Sequence, residues 1–211
     1  MIKVTTFTYE DLDDLYANTY VLSDDDNNCV VIDPSNNNLS VVNFIDKNSL
    51  NLKAIFITHG HVDHIKGAEI LVSHYNVPLY IGFYDADKLK DPYQNCSMFL
   101  GNPVILEIDY QTVADKEVLR LLKEDIEVIE TPYHTSGSVC YYLRDSHLLF
   151  TGDFILQYSV GRCDLPSSQP RELEKSLSKI LVLPKKTKIY AGHGKSSTIG
   201  EELLLNPFIR R

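Results

Sequence analysis

The chain has 211 residues, of which 44% are hydrophobic and 23% are charged, and its formal net charge is −9. These values are typical of one globular domain with a substantial core. The acidic balance disfavours a nucleic-acid partner, because binding to phosphates needs clustered cations. The apolar runs are far shorter than the roughly 20 residues that cross a bilayer, and the N-terminus lacks the apolar stretch of a signal peptide. We therefore expect a cytoplasmic protein with no membrane partner.

The first half of the chain alternates predicted strands with predicted helices. The strands are IKVTTFTY, YVL, CVVID, KAIFIT and VPLYIG, which are short runs rich in β-branched and aromatic residues. LSVVNFIDKN and HIKGAEILVSHYN have helical spacing of apolar residues, and DADKLKDPYQ is a short helix or turn.

The second half repeats this pattern without a low-complexity linker. VLRLL, IEVIETP, VCYYLR, HLLFTGD and KIYAGHG are predicted strands, and RELEKSLSKILVL and TIGEELLLNPFIRR are predicted helices. The four cysteines contain no CxxC pair, so they indicate neither a zinc ribbon nor a disulfide framework. Two halves of this kind predict a single α/β domain over residues 1–211, with two sheets packed face to face and helices outside, in four layers.

A stretch dense in histidine, THGHVDHIKG, occupies residues 58–67 between a predicted strand and a predicted helix. It contains His59, His61, Asp63 and His64. Asp63 alone could be explained as the N-cap of the helix. The three histidines have no such explanation, and together with the aspartate they indicate a metal site.

Three further candidate ligands each follow a predicted strand. His134 lies in TPYHTSGS, Asp153 in FTGD and His193 in AGHG. The ends of strands converge at one sheet edge in α/β proteins. Five histidines and two carboxylates exceed the four ligands of a structural zinc but suit two metals that share a carboxylate and leave positions open for water. The residues thus predict a dinuclear or mononuclear metal site, with His74 and His147 outside it.

The pattern HxHxDH at 59–64, with His134, Asp153 and His193, resembles the metallo-β-lactamase superfamily. TPYHTSGS, FTGDFIL, GRCDLP, AGHG and TIGEELLLNPF resemble its small single-domain glyoxalase II-like (hydroxyacylglutathione hydrolase-like) hydrolases. The resemblance extends from about residue 10 to the C-terminus. It implies the four-layer αβ/βα fold, with two mixed sheets flanked by helices, and two divalent ions, zinc first and iron or manganese otherwise. It places one ion on His59, His61 and His134, the other on Asp63, His64 and His193, and Asp153 between them.

Three positions depart from that family pattern without removing a ligand. Tyr133 stands where relatives usually have Gly, Ala191 where they often have Pro, and Cys163 where they often have Thr. Tyr133 could line the substrate pocket or pack against the sheet. The best-known dizinc β-lactamases have Cys at the position of Asp153, which disfavours antibiotic hydrolysis. Few residues follow His193, so we expect the C-terminal glutathione-binding helical domain of glyoxalase II to be absent.

The activity that this resemblance implies is hydrolysis of a thioester such as S-lactoylglutathione by a metal-bridging hydroxide. Asp63 and Asp153 would be the catalytic carboxylates, which neutralise charge and aim the nucleophile. A thiolate can leave without a general acid, whereas an alkoxide or amine needs one. Arg162 and Lys195 could attract substrate carboxylates, or Arg162 could pair with Asp164 and Lys195 could be solvated.

Two other functions stay open at this point. A persulfide dioxygenase of the same fold would hold one iron on His59, His134 and Asp153, as a facial triad with sites left for oxygen. A non-catalytic metal-binding module is the second alternative. The acyl group, the thiol carrier, the metal identity and the oligomeric state have no signal in the residues.

Overall fold

The computed structural model describes residues 1–9 and 17–210, so the acidic segment at 10–16, part of the predicted domain, lies outside the described residues. The first half of the described chain contributes six strands, which are β1 Lys3–Phe7, β2 Thr19–Ser23, β3 Asn28–Ile32, β4 Asn51–Ile57, β5 Leu79–Gly82 and β6 Gln111–Val113. They form one mixed sheet in that order. The strands β1 to β3 pair antiparallel, and β3 to β6 pair parallel.

The second half contributes the remaining described strands, which are β7 Val118–Leu119, β8 Ile126–Glu130, β9 Val139–Leu143, β10 Leu148–Gly152, β11 Ile155–Leu156, β12 Ser159–Val160, β13 Lys188–Ala191 and β14 Ser197–Thr198. The second sheet has the order β14-β13-β10-β9-β8-β7, and β11 and β12 form a separate hairpin. The pair β10 and β13 is parallel and the other pairs of this sheet are antiparallel.

The described helices are α1 Ser40–Lys47, α2 Val62–Ile65, α3 Ala68–Tyr75, α4 Leu173–Ile180 and α5 Ile199–Leu205, with 3₁₀ segments at Phe83–Leu89, Ser97–Leu100 and Pro170–Glu172. None of these helices is long and apolar enough to cross a membrane.

The layers form because successive side chains of each strand point to opposite faces of the sheet. Side chains from the inner faces of both sheets, such as Phe56 and Tyr141, share one core, and their ring centroids lie 4.8 Å apart. Val31 on the opposite face of the first sheet packs with α1 and α3, and Tyr142 on the opposite face of the second packs with α4 and α5. Successive strand residues point to opposite faces, so each sheet is buried on both sides. The predicted four-layer α/β fold is confirmed.

One helix boundary differs from the prediction. The segment HIKGAEILVSHYN is divided into α2 and α3 at Gly67. The Gly67 amide donates to the carbonyl of Pro34 at 2.7 Å, and a Cβ on Gly67 would lie 2.2 Å from the Asn36 carbonyl oxygen. The loop after β3 passes so close that a continuous helix with a side chain here would collide with it.

Candidate metal centre

The seven predicted ligands come together at one edge of both sheets. His59 follows β4, His134 follows β8, Asp153 follows β10 and His193 follows β13. Two glycines permit the close approach of these loops. A Cβ on Gly192 would lie 2.2 Å from Asp153 Oδ1, and Gly152 adopts a φ of +50° that side chains rarely tolerate.

The first group of candidate ligands consists of three buried histidines, His59, His61 and His134. His59 Nε2 lies 3.1 Å from His61 Nδ1. His61 Nδ1 in turn lies 2.9 Å from His134 Nε2. Three imidazole nitrogens therefore converge on one point, an arrangement that a divalent cation would satisfy.

The second group consists of Asp63, His64 and His193. His193 Nε2 lies 3.1 Å from Asp63 Oδ2, and His64 Nε2 lies 3.7 Å from the same oxygen. The helix α2 begins at Val62 with His61 at its N-cap and no side-chain cap bond. Asp63 is therefore not a cap, and its carboxylate faces the histidines.

Asp153 lies between the two groups. Its Oδ2 is 3.7 Å from His134 Nε2 in the first group and 3.4 Å from His193 Nε2 in the second. Its Oδ1 is 3.6 Å from His64 Nε2, and both of these buried atoms lack a hydrogen-bond partner among the described residues. Buried polar atoms without partners are costly. Histidine nitrogens and carboxylate oxygens are donors that zinc, iron and manganese accept, so this donor set fits a pair of such ions.

Asp33, which the sequence analysis did not single out, orients ligands in both groups. This buried carboxylate lies 2.8 Å from His64 Nδ1 and accepts a bond of 2.7 Å from the Thr58 hydroxyl. The Thr58 oxygen is in turn 3.2 Å from His59 Nδ1. Because Thr58 donates its only hydroxyl proton to Asp33, it accepts from His59. His59 Nε2 and His64 Nε2 are thereby directed to the centre. The feature of the sequence that could have identified Asp33 is its position directly after the buried strand β3.

Asp85 is the second residue that the sequence analysis missed, and it joins the loops of the first group. The fully buried carboxylate accepts the backbone amides of Gly60 and Gly137, both at 2.8 Å. It also accepts the Thr135 hydroxyl at 2.7 Å and pairs with Lys88 at 2.7 Å. No motif surrounds Asp85, because its partners are distant in the chain.

Two histidines of the first group, His59 and His61, are held neutral. Burial lowers the pKa of His59 well below its usual value, and the neighbouring histidines lower it further. Burial and the nearby His134 lower the pKa of His61 to about 4. Neutral imidazole is the form that binds a metal, so both side chains are ready to ligate at neutral pH.

The second group carries charge. Burial alone would lower the pKa of His64, but the carboxylates of Asp63, Asp33 and Asp153 together raise it well above its usual value. Burial likewise opposes protonation of His193, and Asp63 and Asp153 outweigh it and raise that pKa. The same pairing lowers the pKa of Asp63 and of Asp153, although burial alone would raise both.

A cavity of about 460 Å³ opens above the centre. Five of the candidate ligands line it, namely His61, Asp63, His134, Asp153 and His193. The other lining residues are mostly apolar and are Val62, Cys96, Phe99, Leu100, Leu156, Gly161, Arg162 and Leu165. Volumes of this size are typical of small-molecule sites.

Of the three predicted substrate residues, Arg162 alone lines this cavity. Its guanidinium pairs with Asp164 through two bonds of 2.7 and 2.8 Å. Lys195 is exposed and outside the lining. Tyr133 is buried in the core with Phe154, at 6.2 Å between ring centroids, which is the packing arrangement that the sequence analysis considered as its alternative.

Comparison with known proteins identifies the class that this fold and centre define. Residues 12–193 match the Metallo-beta-lactamase superfamily, so the chain belongs to that family, whose members bind metal at a dinuclear centre. The chain is 33% identical to hydroxyacylglutathione hydrolase GloC of Haemophilus influenzae, over 91% of this chain and 92% of that protein.

Two solved structures share its fold closely. The BLEG-1 B3 metallo-beta-lactamase superposes with a TM-score of 0.90 at 32% identity, covering 99% of both chains. TTHA1623, solved in a di-iron-bound form, superposes with a TM-score of 0.82 at 28% identity, covering 91% of this chain and 94% of that one.

Proposed function

We propose that the protein is a metallohydrolase of the glyoxalase II type, which cleaves a thioester such as S-lactoylglutathione. The observation that carries this proposal is the position of Asp153, which lies within 3.7 Å of ligand atoms from both groups. The similarity to GloC supports the substrate class. We propose zinc as the bound ion. Iron is the alternative, because the similar structure TTHA1623 was solved in a di-iron-bound form.

Each ligand group would hold one of the two ions. His59, His61 and His134 would hold the first, and Asp63, His64 and His193 would hold the second. Asp153 would contact both. When bound, such a pair supplies a deprotonated water at near-neutral pH and a Lewis acid for the substrate carbonyl.

The chain's own carboxylates would orient the water. Asp63 and Asp153 line the cavity, so their oxygens could accept hydrogen bonds from the water that attacks the substrate carbonyl. Hydrolysis forms a bond from the water oxygen to the acyl carbon and breaks the bond from that carbon to sulfur. The products are a carboxylate and a thiol, and the sulfur takes up a proton from solvent after it leaves.

The leaving group favours a thioester over an amide. A thiol has a pKa of about 8.5, so its thiolate can depart unprotonated. Apart from the candidate ligands, the titratable side chains that line the cavity among the described residues are Cys96 and Arg162. Burial raises the pKa of Cys96 to about 11, and the guanidinium keeps its proton. Neither is a suitable acid for an amine leaving group.

A β-lactam is the second substrate candidate, because the BLEG-1 neighbour is described as a B3 metallo-beta-lactamase. Zinc-loaded protein assayed against S-lactoylglutathione and a chromogenic cephalosporin separates the two. We expect thioester turnover to exceed cephalosporin turnover. Iron-loaded protein with glutathione persulfide, followed by oxygen uptake, tests the dioxygenase alternative. Turnover of the cephalosporin alone, or oxygen uptake without thioester turnover, would overturn the proposal.

A further inference from the structure

The cavity above the metal centre has apolar walls. Val62 lines it from α2, and Phe99 and Leu100 line it from the 3₁₀ turn at Ser97–Leu100. Leu156 lines it from β11, and Leu165 from the loop that follows β12. The polar atoms of the site are gathered at its base. A substrate that reaches the base must therefore place its remaining atoms against these walls.

The most exposed apolar side chains of this wall are held on an anchored segment. Phe99 is 57% exposed and Leu100 is 53% exposed. The buried Asn95 amide donates to the carbonyls of Lys88 and Val104, at 2.9 and 3.0 Å, and so fixes the start of the segment. Apolar surface held in water at the mouth of a cavity gains free energy when an apolar ligand covers it.

The charges around the cavity do not suit glutathione, which carries two carboxylates. The guanidinium of Arg162 is already paired with Asp164. No other lysine or arginine lines the cavity within the described ranges. The formal net charge of −9 gives no long-range attraction for an anion.

We propose that the group which the substrate presents to this cavity is uncharged and apolar, so that aliphatic thioesters are better substrates than glutathione thioesters. This inference rests on the proposed thioester hydrolase function and specifies its substrate class. The apolar group could be attached to the carbonyl carbon or to the sulfur, and its chemistry is the same in both cases.

Two homologous series distinguish these attachments in zinc-loaded protein. One lengthens the acyl group on N-acetylcysteamine from acetyl to butanoyl to hexanoyl, and the other lengthens the alkanethiol of an acetyl thioester from two to six carbons. Burial of one methylene is worth about a fourfold change in an equilibrium or rate ratio. We expect kcat/KM to rise at least about tenfold along one series, and S-lactoylglutathione to fall below the longest member.

A binding measurement accompanies the kinetics. Ketone analogues, in which a methylene replaces the thioester sulfur, are not hydrolysed, and calorimetry gives their Kd. We expect Kd to fall with chain length in step with the rise in kcat/KM. Leu100→Ser should reduce the ratio of the longest to the shortest substrate by about threefold to tenfold. Leu205→Ser removes a leucine of similar exposure, 51%, that does not line the cavity, and should leave the ratio unchanged.

The outcomes separate this inference from the proposed function. Thioester turnover with flat or falling kcat/KM in both series, or a preference for S-lactoylglutathione, would overturn the apolar substrate class and leave the hydrolase standing. Absence of turnover with every thioester would overturn the hydrolase. In that case a Kd of the ketones that falls with chain length would still support the apolar cavity, and a constant Kd would overturn it.

Discussion

The two ligand groups of the centre differ in charge although they are only a few ångströms apart. The first group is three histidines, two of which burial keeps neutral. The second group combines Asp63 with His64 and His193, whose pKa values the carboxylates raise. An ion entering the first group meets two neutral imidazoles, those of His59 and His61, whereas an ion entering the second competes with protons on His64 and His193. The difference suggests that the chain fills the first group before the second.

The largest loss of metal and turnover should come from substitution of Asp153, which lies between the two ligand groups. We expect Asp153→Ala to lose both ions and at least about a thousandfold in turnover, about 4 kcal/mol of barrier. His61→Ala, which alters the first group alone, should lose less. Elemental analysis and steady-state kinetics measure both effects, and Asp46→Ala, an exposed carboxylate on α1, is the control. Full metal content and turnover in Asp153→Ala would show that this residue does not link the ions.

The supporting aspartates offer a way to weaken the two groups unequally. We expect Asp33→Asn to lower the affinity for the second ion by about tenfold to a hundredfold, because His64 loses its charged partner. The first ion should be affected less, because His59 contacts Asp33 only through Thr58. Asp85→Asn should act more strongly on the first ion, since Asp85 holds the loops of His59 and His134. Competition with a chelator measures each affinity, and thermal unfolding of the metal-free variants checks that they fold. Equal losses at both ions in both variants would remove the distinction between the groups.

The charge difference predicts different pH dependences of metal binding. Because its pKa is raised by the surrounding carboxylates, His64 holds its proton to a higher pH than an ordinary histidine, and this proton leaves as the pH rises. Affinity for the second ion should therefore increase between about pH 6 and about pH 8. His61, with its pKa lowered to about 4, is neutral throughout that range, so affinity for the first ion should change less. Parallel pH dependences for the two ions would contradict the comparison.

The smallest effect on turnover is expected for Cys163, which is not a candidate metal ligand. Cys163 packs against the core between the second sheet and helices α4 and α5, and its thiol hydrogen-bonds with the Tyr133 hydroxyl, outside the ligand groups. No thiol nucleophile is needed if a metal-activated water attacks, so Cys163→Ser should change kcat less than about tenfold, or about 1.4 kcal/mol. A greater loss in protein that retains its metal would give Cys163 a part in the reaction.

Strong local patterns made much of the fold and centre predictable. Several strands are continuous apolar runs, and His59, His134, Asp153 and His193 each follow one of them, so convergence at a sheet edge could be expected. Short elements such as β6, β11 and β12 were not predicted, because two or three residues hold no period. Asp33 and Asp85 were missed because their function depends on partners distant in sequence. The cavity walls were missed for the same reason, since Leu100 and Leu165 meet only in the folded chain.

The most direct test of a two-ion thioester hydrolase is a titration of metal-free protein with zinc, followed by turnover of an aliphatic thioester. We expect turnover to be low after the first equivalent and to rise to a plateau at about two equivalents per chain, because both groups take part. A plateau at one equivalent would contradict the role of the second group. No thioester turnover at two bound equivalents would contradict the proposed function itself.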